Sequence, residues 1–151
     1  MVAKKPTAVK KTAPKKSAST GATAPVSHGV GRRKCAVARV WMRRGNGSIV
    51  VNGLAHDTYF DTKILAQNAS AAFRAVPASV NYTVDVNVHG GGRHGQSDAV
   101  KLGIARAFLA FDESIKPDLR KDRLLTVDSR VTERKKYGQR GARRKFQFVK
   151  R

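Results

Sequence analysis

The residues with the most chemical promise lie in one run, Gly90-Gly91-Gly92-Arg93-His94-Gly95. Gly90, Gly92 and Gly95 satisfy G-x-G-x-x-G, with a strand-like stretch before them and a helical pattern after, which is the setting of a dinucleotide-binding turn. Asp112 even stands twenty residues beyond Gly92. That fingerprint requires its acid at the end of a second parallel strand. Here the segment Phe111-Asp112-Glu113-Ser114-Ile115-Lys116-Pro117 is charged and contains proline, and too little chain follows to supply the remaining strands. No nucleotide, and no other cofactor, is expected. What survives is simpler: glycine backbone leading into a helix N-terminus offers unpaired amides to an anion. Arg93 and His94 stand beside it, and a nucleic-acid phosphate suits such a place.

Other reactive side chains lack companions. His89 and His94 have no third ligand at a metal-site spacing. Cys35 is the single cysteine; no sequence feature brings a histidine to it, and it reads as a small buried filler. Glu113 and Glu133 are the only glutamates, and Glu133, among Arg130, Arg134, Lys135 and Lys136, is explained by an ion pair. With no Ser-His-Asp arrangement, paired glutamates or Walker loop, the chain does not read as an enzyme.

Charge is the dominant feature. Thirty-one Lys and Arg stand against ten Asp and Glu in 151 residues, a net +21 and a pI near 11.2. A chain so cationic repels itself unless a polyanion neutralises it. No run of about 18 apolar residues exists to form a membrane helix, and one cysteine excludes a disulfide framework and suits a reducing compartment. The charge is uneven. Residues 1–27 hold six lysines and no acid, residues 28–127 fifteen basic and eight acidic residues, and residues 128–151 ten basic and two acidic. The first segment, rich in Lys, Ala and Pro, is expected to be a disordered arm; an organelle transit peptide is the competing reading, disfavoured by the absence of Arg before Arg32.

Between the arms, 28–127 reads as the globular domain. Val30 to Met42 forms a strand with imperfect alternation, and Asn46-Gly47 signals a hairpin to a returning strand at Ser48–Val51. A second turn falls at Asn52-Gly53. A helix begins after Asp61, carries Leu65, Ala69, Ala72, Phe73 and Val76 on one face, and ends at Pro77. Val80 to His89 alternates cleanly as a half-buried strand, and a second helix spans about Ser97–Ala110. The fold class is α+β: a mixed four-stranded sheet with two helices packed on one face, a two-layer sandwich with long basic extensions at both ends.

The candidate binding residues follow the uncompensated clusters: Arg32, Arg33 and Lys34; Arg43 and Arg44; Arg93 and His94; then Arg134, Lys135, Lys136, Arg140, Arg143, Arg144 and Lys145 in the C-terminal tail. The last fifteen residues contain no acid, and Tyr137, Phe146 and Phe148 lie between the charges. Such a tail has no core to join and orders only against something negative. Arginine forks suit phosphates and aromatics stack on unpaired bases. Extended, fifteen residues reach about 50 Å at about 3.3–3.6 Å each.

These residues resemble a known family. Gly31-Arg32-Arg33-Lys34 with Ala38-Arg39-Val40, Asn52-Gly53 followed by Tyr59-Phe60, Gly90-Gly91-Gly92 running into Gly95-Gln96 and Gly103-Ile104-Ala105-Arg106-Ala107, and the ending with Asp128-Ser129-Arg130, Glu133 to Gly138 and Gln147-Phe148-x-Lys150-Arg151 are similar to small-subunit ribosomal protein nine in its bacterial and organellar form. The resemblance covers about residues 29–151 and leaves out the N-terminal arm. It implies a structural, non-catalytic constituent of the small ribosomal subunit in the cytoplasm, docked on ribosomal RNA of the subunit head beside other head proteins, with no membrane partner. It further implies a tail running through the RNA to the peptidyl-site tRNA, with Phe148, Lys150 and Arg151 nearest that tRNA and Arg140 to Lys145 threading RNA. Val149 stands where the family usually has Ser, which removes a hydroxyl but no charge. The alternative is a general, histone-like nucleic-acid-binding protein.

Overall fold

The computed structural model describes residues 24–148; most of the arm read in 1–27, and Lys150 and Arg151, lie outside them. Five strands form one sheet: β1 Ser27–Arg33, β2 Ala36–Arg44, β3 Ile49–Val51, β4 Leu54–Ala55 and β5 Tyr82–His89, in the order β1-β2-β5-β3-β4. All neighbours are antiparallel except β3 and β5, which run parallel. A parallel pair needs a long crossover, and here it contains α1 His56–Tyr59, α2 Lys63–Ala69 and α3 Ala71–Ala75. After β5 come α4 Arg93–Phe111 and the short α5 Lys116–Lys121. The α+β class and the mixed sheet therefore stand, but with five strands rather than four and five helices rather than two.

Three departures have local causes. The stretch read as one strand from Val30 is a hairpin, turning at Lys34-Cys35 with Lys34 at φ 53. No Gly or Asn marks this turn, so its usual sequence signal is missing. Crossing it reverses the parity of burial: Gly29 and Gly31 face the core on β1, and Ala36, Ala38, Val40 and Met42 on β2. Small apolar groups on both faces of a supposed single strand were two strands of opposite phase. Cys35, in this turn, is exposed rather than buried.

The Asn46-Gly47 turn does not pair β2 with β3, because β5 lies between them. The loop is stitched to the start of β5 instead: the Gly45 amide donates to the Asn81 carbonyl (2.9 Å), and the Val84 amide to the Ser48 carbonyl (2.8 Å). Asn52-Gly53, by contrast, does close a hairpin, β3 to β4, with both residues at positive φ (50° and 83°), as a type I′ turn requires. The helix expected from Asp61 to Pro77 is broken at Ser70 into α2 and α3. The Ser70 hydroxyl donates to the Gln67 carbonyl (3.2 Å), a back-bond that competes with helix propagation. The apolar face survives the break, with Leu65, Ala69, Ala72 and Val76 buried and Phe73 packed on Phe108 (centroids 5.7 Å apart).

The core lies between the inner sheet face and α4. β1 approaches α4 backbone to backbone: a Cβ on Gly31 would sit 1.8 Å from the Ala99 carbonyl oxygen, and one on Gly29 2.3 Å from that of Gly103. Buried Ser97 joins α4 to α2, donating to the Leu65 carbonyl (2.8 Å) and accepting from Asn68 Nδ2 (3.0 Å), so this polar group in the core is satisfied. Gly31→Ala drives a methyl into a backbone carbonyl that cannot rotate away and is expected to lower the unfolding free energy by about 3 kcal/mol. Gly92→Ala, whose Cβ meets nothing within 4 Å, is expected to cost under about 1 kcal/mol. Urea denaturation of the two variants checks the contrast.

Candidate nucleic-acid interface

The predicted residues fall at two ends of the sheet and along the tail. At one end the Lys34-Cys35 turn meets the glycine loop. Gly90 and Gly91 take positive φ (74° and 62°), and a Cβ on Gly90 would lie 2.3 Å from the Cys35 carbonyl oxygen; only glycine permits both the conformation and the approach. Gln96 holds the loop from within α4: its Nε2 donates to the Gly90 carbonyl (3.1 Å), and its Oε1 accepts from the Tyr59 hydroxyl (2.9 Å). This packing brings Arg32, Lys34, Arg93 and His94, all exposed, to one rim. Arg93 lies over the Tyr59 ring (4.4 Å to the centroid) and 3.7 Å from Asp61, so its guanidinium is oriented before any ligand arrives. After α4, Asp112 caps a short 3-10 turn by accepting from the Ser114 amide (2.9 Å), and α5 follows. Among the described residues no strand follows α4, so the second parallel strand of a dinucleotide fold is not formed there.

Arg33 has a different task. Its guanidinium is largely buried between Asp98 (3.5 Å) and Asp128 (2.9 Å), and Nη1 donates to the carbonyls of Asp128 (3.1 Å) and Arg130 (2.6 Å). One arginine thus joins β1, α4 and the root of the tail. Asp128 accepts a two-pronged contact from Arg130 (Nη2 to Oδ2, 2.7 Å) and the Arg130 amide (2.9 Å). These hydrogen bonds, with the charge of Arg33 beyond them, hold its carboxyl well below the usual carboxylate range. Arg43 is likewise engaged, paired with Asp85, whereas Arg44 beside it is exposed. These two lie at the opposite end of the sheet, about 26 Å along β2 from the rim at about 3.3 Å per residue.

Beyond Arg130 the tail has only local order. Glu133 pairs with Arg143 (2.6 Å) rather than with its basic sequence neighbours, a hydrogen bond that lowers the Glu133 carboxyl pKa. The Arg140 amide donates to the Arg144 carbonyl (2.8 Å), and Arg140 stands 5.8 Å from the Phe146 ring. The rest is exposed: Arg134, Lys135, Lys136, Arg144 and Lys145 face outward, with Tyr137 96% and Phe148 90% accessible. Exposed aromatics alternating with unpaired cations, on backbone without a core, can stack on bases and neutralise phosphates without rearranging the domain.

Sequence reading missed Arg39, which is exposed on the outer sheet face two residues from Trp41 and His28 (ring centroids 5.4 Å apart). The period of two along β2 carries that signal, but running one strand through the Lys34-Cys35 turn hid the phase. No residue type predicted the intramolecular commitment of Arg33.

Fold and surface together define a two-layer α+β domain with a cationic extension rooted on it by a largely buried arginine. The sequence profile described as "Ribosomal protein S9/S16" matches residues 31–151. Curated relatives include "Small ribosomal subunit protein uS9" of Cytophaga hutchinsonii, 50% identical over 126 residues that cover 83% of this chain and 98% of that one. Those of Chlorobaculum parvum (52% over 122 residues, 81% and 95%) and Treponema pallidum (51% over 123 residues, 82% and 95%) agree. The chain belongs to the ribosomal protein S9/S16 family.

The Arg33 anchor has a definite pH dependence. A carboxyl with a depressed folded-state value contributes stability above its unfolded value, near 3.9, and loses it only as pH falls through the folded value. Protection of the Arg130 amide is therefore expected to persist at pH 4 and disappear only in stronger acid. Arg33→Ala, which removes the ties to the Asp128 carboxylate and the Arg130 carbonyl but not the bond from the Arg130 amide to Asp128, is expected to weaken that protection while leaving core amides of α4 protected. Hydrogen exchange read by NMR checks both.

Proposed function

We propose that this protein is a structural, non-catalytic constituent of the small ribosomal subunit. Its domain binds ribosomal RNA of the subunit head beside neighbouring head proteins, and its tail extends through that RNA toward the anticodon region of the peptidyl-site tRNA. The observation that carries the reading is the tail: an acid-poor segment anchored at Asp128–Arg130 by Arg33, then exposed through Phe148 with few bonds beyond its own. Family membership names the ribosome as the place where such a polycation belongs. RNA phosphate supplies the missing counter-charge through counterion release, and A-form shape and single-stranded elements supply selectivity.

The residues divide by role. Arg32, Lys34, Arg93 and His94 present the rim to backbone phosphates, and Arg44 does so at the far end. Arg33 and Arg43, although basic, serve first as internal ties: Arg33 directs the tail, and Arg43 neutralises Asp85. Arg134 to Lys136 and Arg140 to Lys145 thread the RNA, with Tyr137, Phe146 and Phe148 offering stacking surfaces. Lys150 and Arg151 carry the terminal charge toward tRNA, and Val149 contributes none of the hydrogen bonding a serine would.

The native protein is expected to co-sediment with small subunits in moderately high salt, and duplex DNA is expected not to displace it. Replacing Arg140, Arg143, Arg144 and Lys145 by Gln reduces the slope of log K against log salt for small-subunit rRNA by about 3, at about 0.7 per phosphate contact on single strands. Removing Lys150 and Arg151 leaves assembly intact and weakens retention of peptidyl-site tRNA; equal tRNA affinity in truncated and intact subunits excludes that contact.

A further inference from the structure

The described elements cover one face of the sheet and leave the other open. On the open face the registers place His28 opposite Trp41 and Trp41 opposite Asp85, with Arg39 in the next row and Arg32 beyond it. Trp41 is half-buried and tilted 47° against the exposed His28 ring, centroids 5.4 Å apart, so the two rings form an aromatic step rather than part of the core. Arg39 and Arg32 are exposed, and none of the described hydrogen bonds or ion pairs engages either side chain. Asp85 is the only acidic residue in any of the five strands, and Arg43 already neutralises it.

The charge selects the occupant. The segments outside the described residues do not complement this face, since residues 1–23 carry six lysines and no acid and 149–151 add Lys150 and Arg151. A second copy would bring the same cations against it. What fits an aromatic step flanked by unpaired guanidinium groups is a nucleic-acid strand with an exposed base, because stacking serves any base and arginine serves the adjoining phosphates. Arg39 lies two residues from Trp41 along β2, about 6.6 Å, close enough for one nucleotide to engage both.

We propose that this face is a further RNA contact, separate from the tail and adjoining the glycine-loop rim through Arg32: an unpaired rRNA base stacks on the Trp41–His28 step while Arg39, with Arg32 at the shared edge, holds the flanking phosphates. This rests on the ribosomal RNA reading above. Trp41 is the only tryptophan in the chain, so the emission of the full-length protein reports on this spot alone. Titration with a transcript of the small-subunit rRNA, with co-sedimentation measured in parallel, is expected to quench that emission by at least half at saturation. Trp41→Ala is expected to weaken binding roughly five- to a hundredfold, and Trp41→Phe to retain most of it. Arg39→Gln is expected to lower the salt slope by about 0.7. Co-sedimentation with unchanged Trp41 emission overturns this contact and leaves the ribosomal assignment standing; absence of co-sedimentation overturns both. In assembled subunits, ultraviolet crosslinking of Trp41 to a nucleotide supports the contact, whereas crosslinking to a neighbouring protein assigns the face to that protein instead.

Discussion

The structure depends on the direct seating of β1 against α4, where Gly29 and Gly31 remove the side chains that would otherwise hold strand and helix apart. Gly103 reciprocates from the helix: a Cβ there would come 2.6 Å from Val40 Cγ2. An interior packed at crystal-like density has no slack to absorb a misplaced methyl. The close approach therefore sets the height of α4 over the sheet, and through it the position of the helix N-terminus, the glycine loop beside it and Asp98. Each feature of the basic rim inherits its place from this backbone contact.

The seating also explains the division of the arginines. Because β1 ends against α4 at Asp98, Arg33 is drawn into a half-enclosed ion cluster and can reach the carbonyls of the departing tail. Its neighbour Arg32, one residue away and on the opposite strand face, stays exposed. Two adjacent residues of one type thus have unrelated roles, the first facing outward with its charge unspent, the second setting the direction in which a long cationic segment leaves the domain. Arg106 is a similar case, its Nη1 donating to the Val30 carbonyl (2.7 Å) and securing the same strand. Net charge alone does not distinguish such ties from binding groups.

Much was legible from the chain alone. The strand read from Val80 to His89 begins at Tyr82, with Val80 exposed in a preceding 3-10 turn, and its valines 84, 86 and 88 are all buried because the strand is covered on one face. The long helix was visible in the spacing of Val100, Ile104, Ala107 and Phe108, although it begins at Arg93, four residues before the expected Ser97, since its first turn packs through Gly95 and Ser97 rather than through large apolar side chains. The two faults in the sheet came from turns. Lys34-Cys35 carries no turn-forming residue, and Asn46-Gly47 carries a strong one at a place where the strands do not pair.

Composition and local pattern determined that this is an α+β chain with a core-poor cationic tail, and which clusters of Lys and Arg lack acids nearby in sequence. Those properties need only the sum of charges and the period of burial, both written in the order of residues. Tertiary structure decided that β5 enters between β2 and β3, that Asp98 and Asp128 converge on Arg33, that Glu133 chooses Arg143, and that Arg39 shares an open face with Trp41 and His28. Each is a meeting of residues distant along the chain or on strands whose phase was hidden, and it depends on the depth to which β1 settles on α4, a distance that no local pattern encodes.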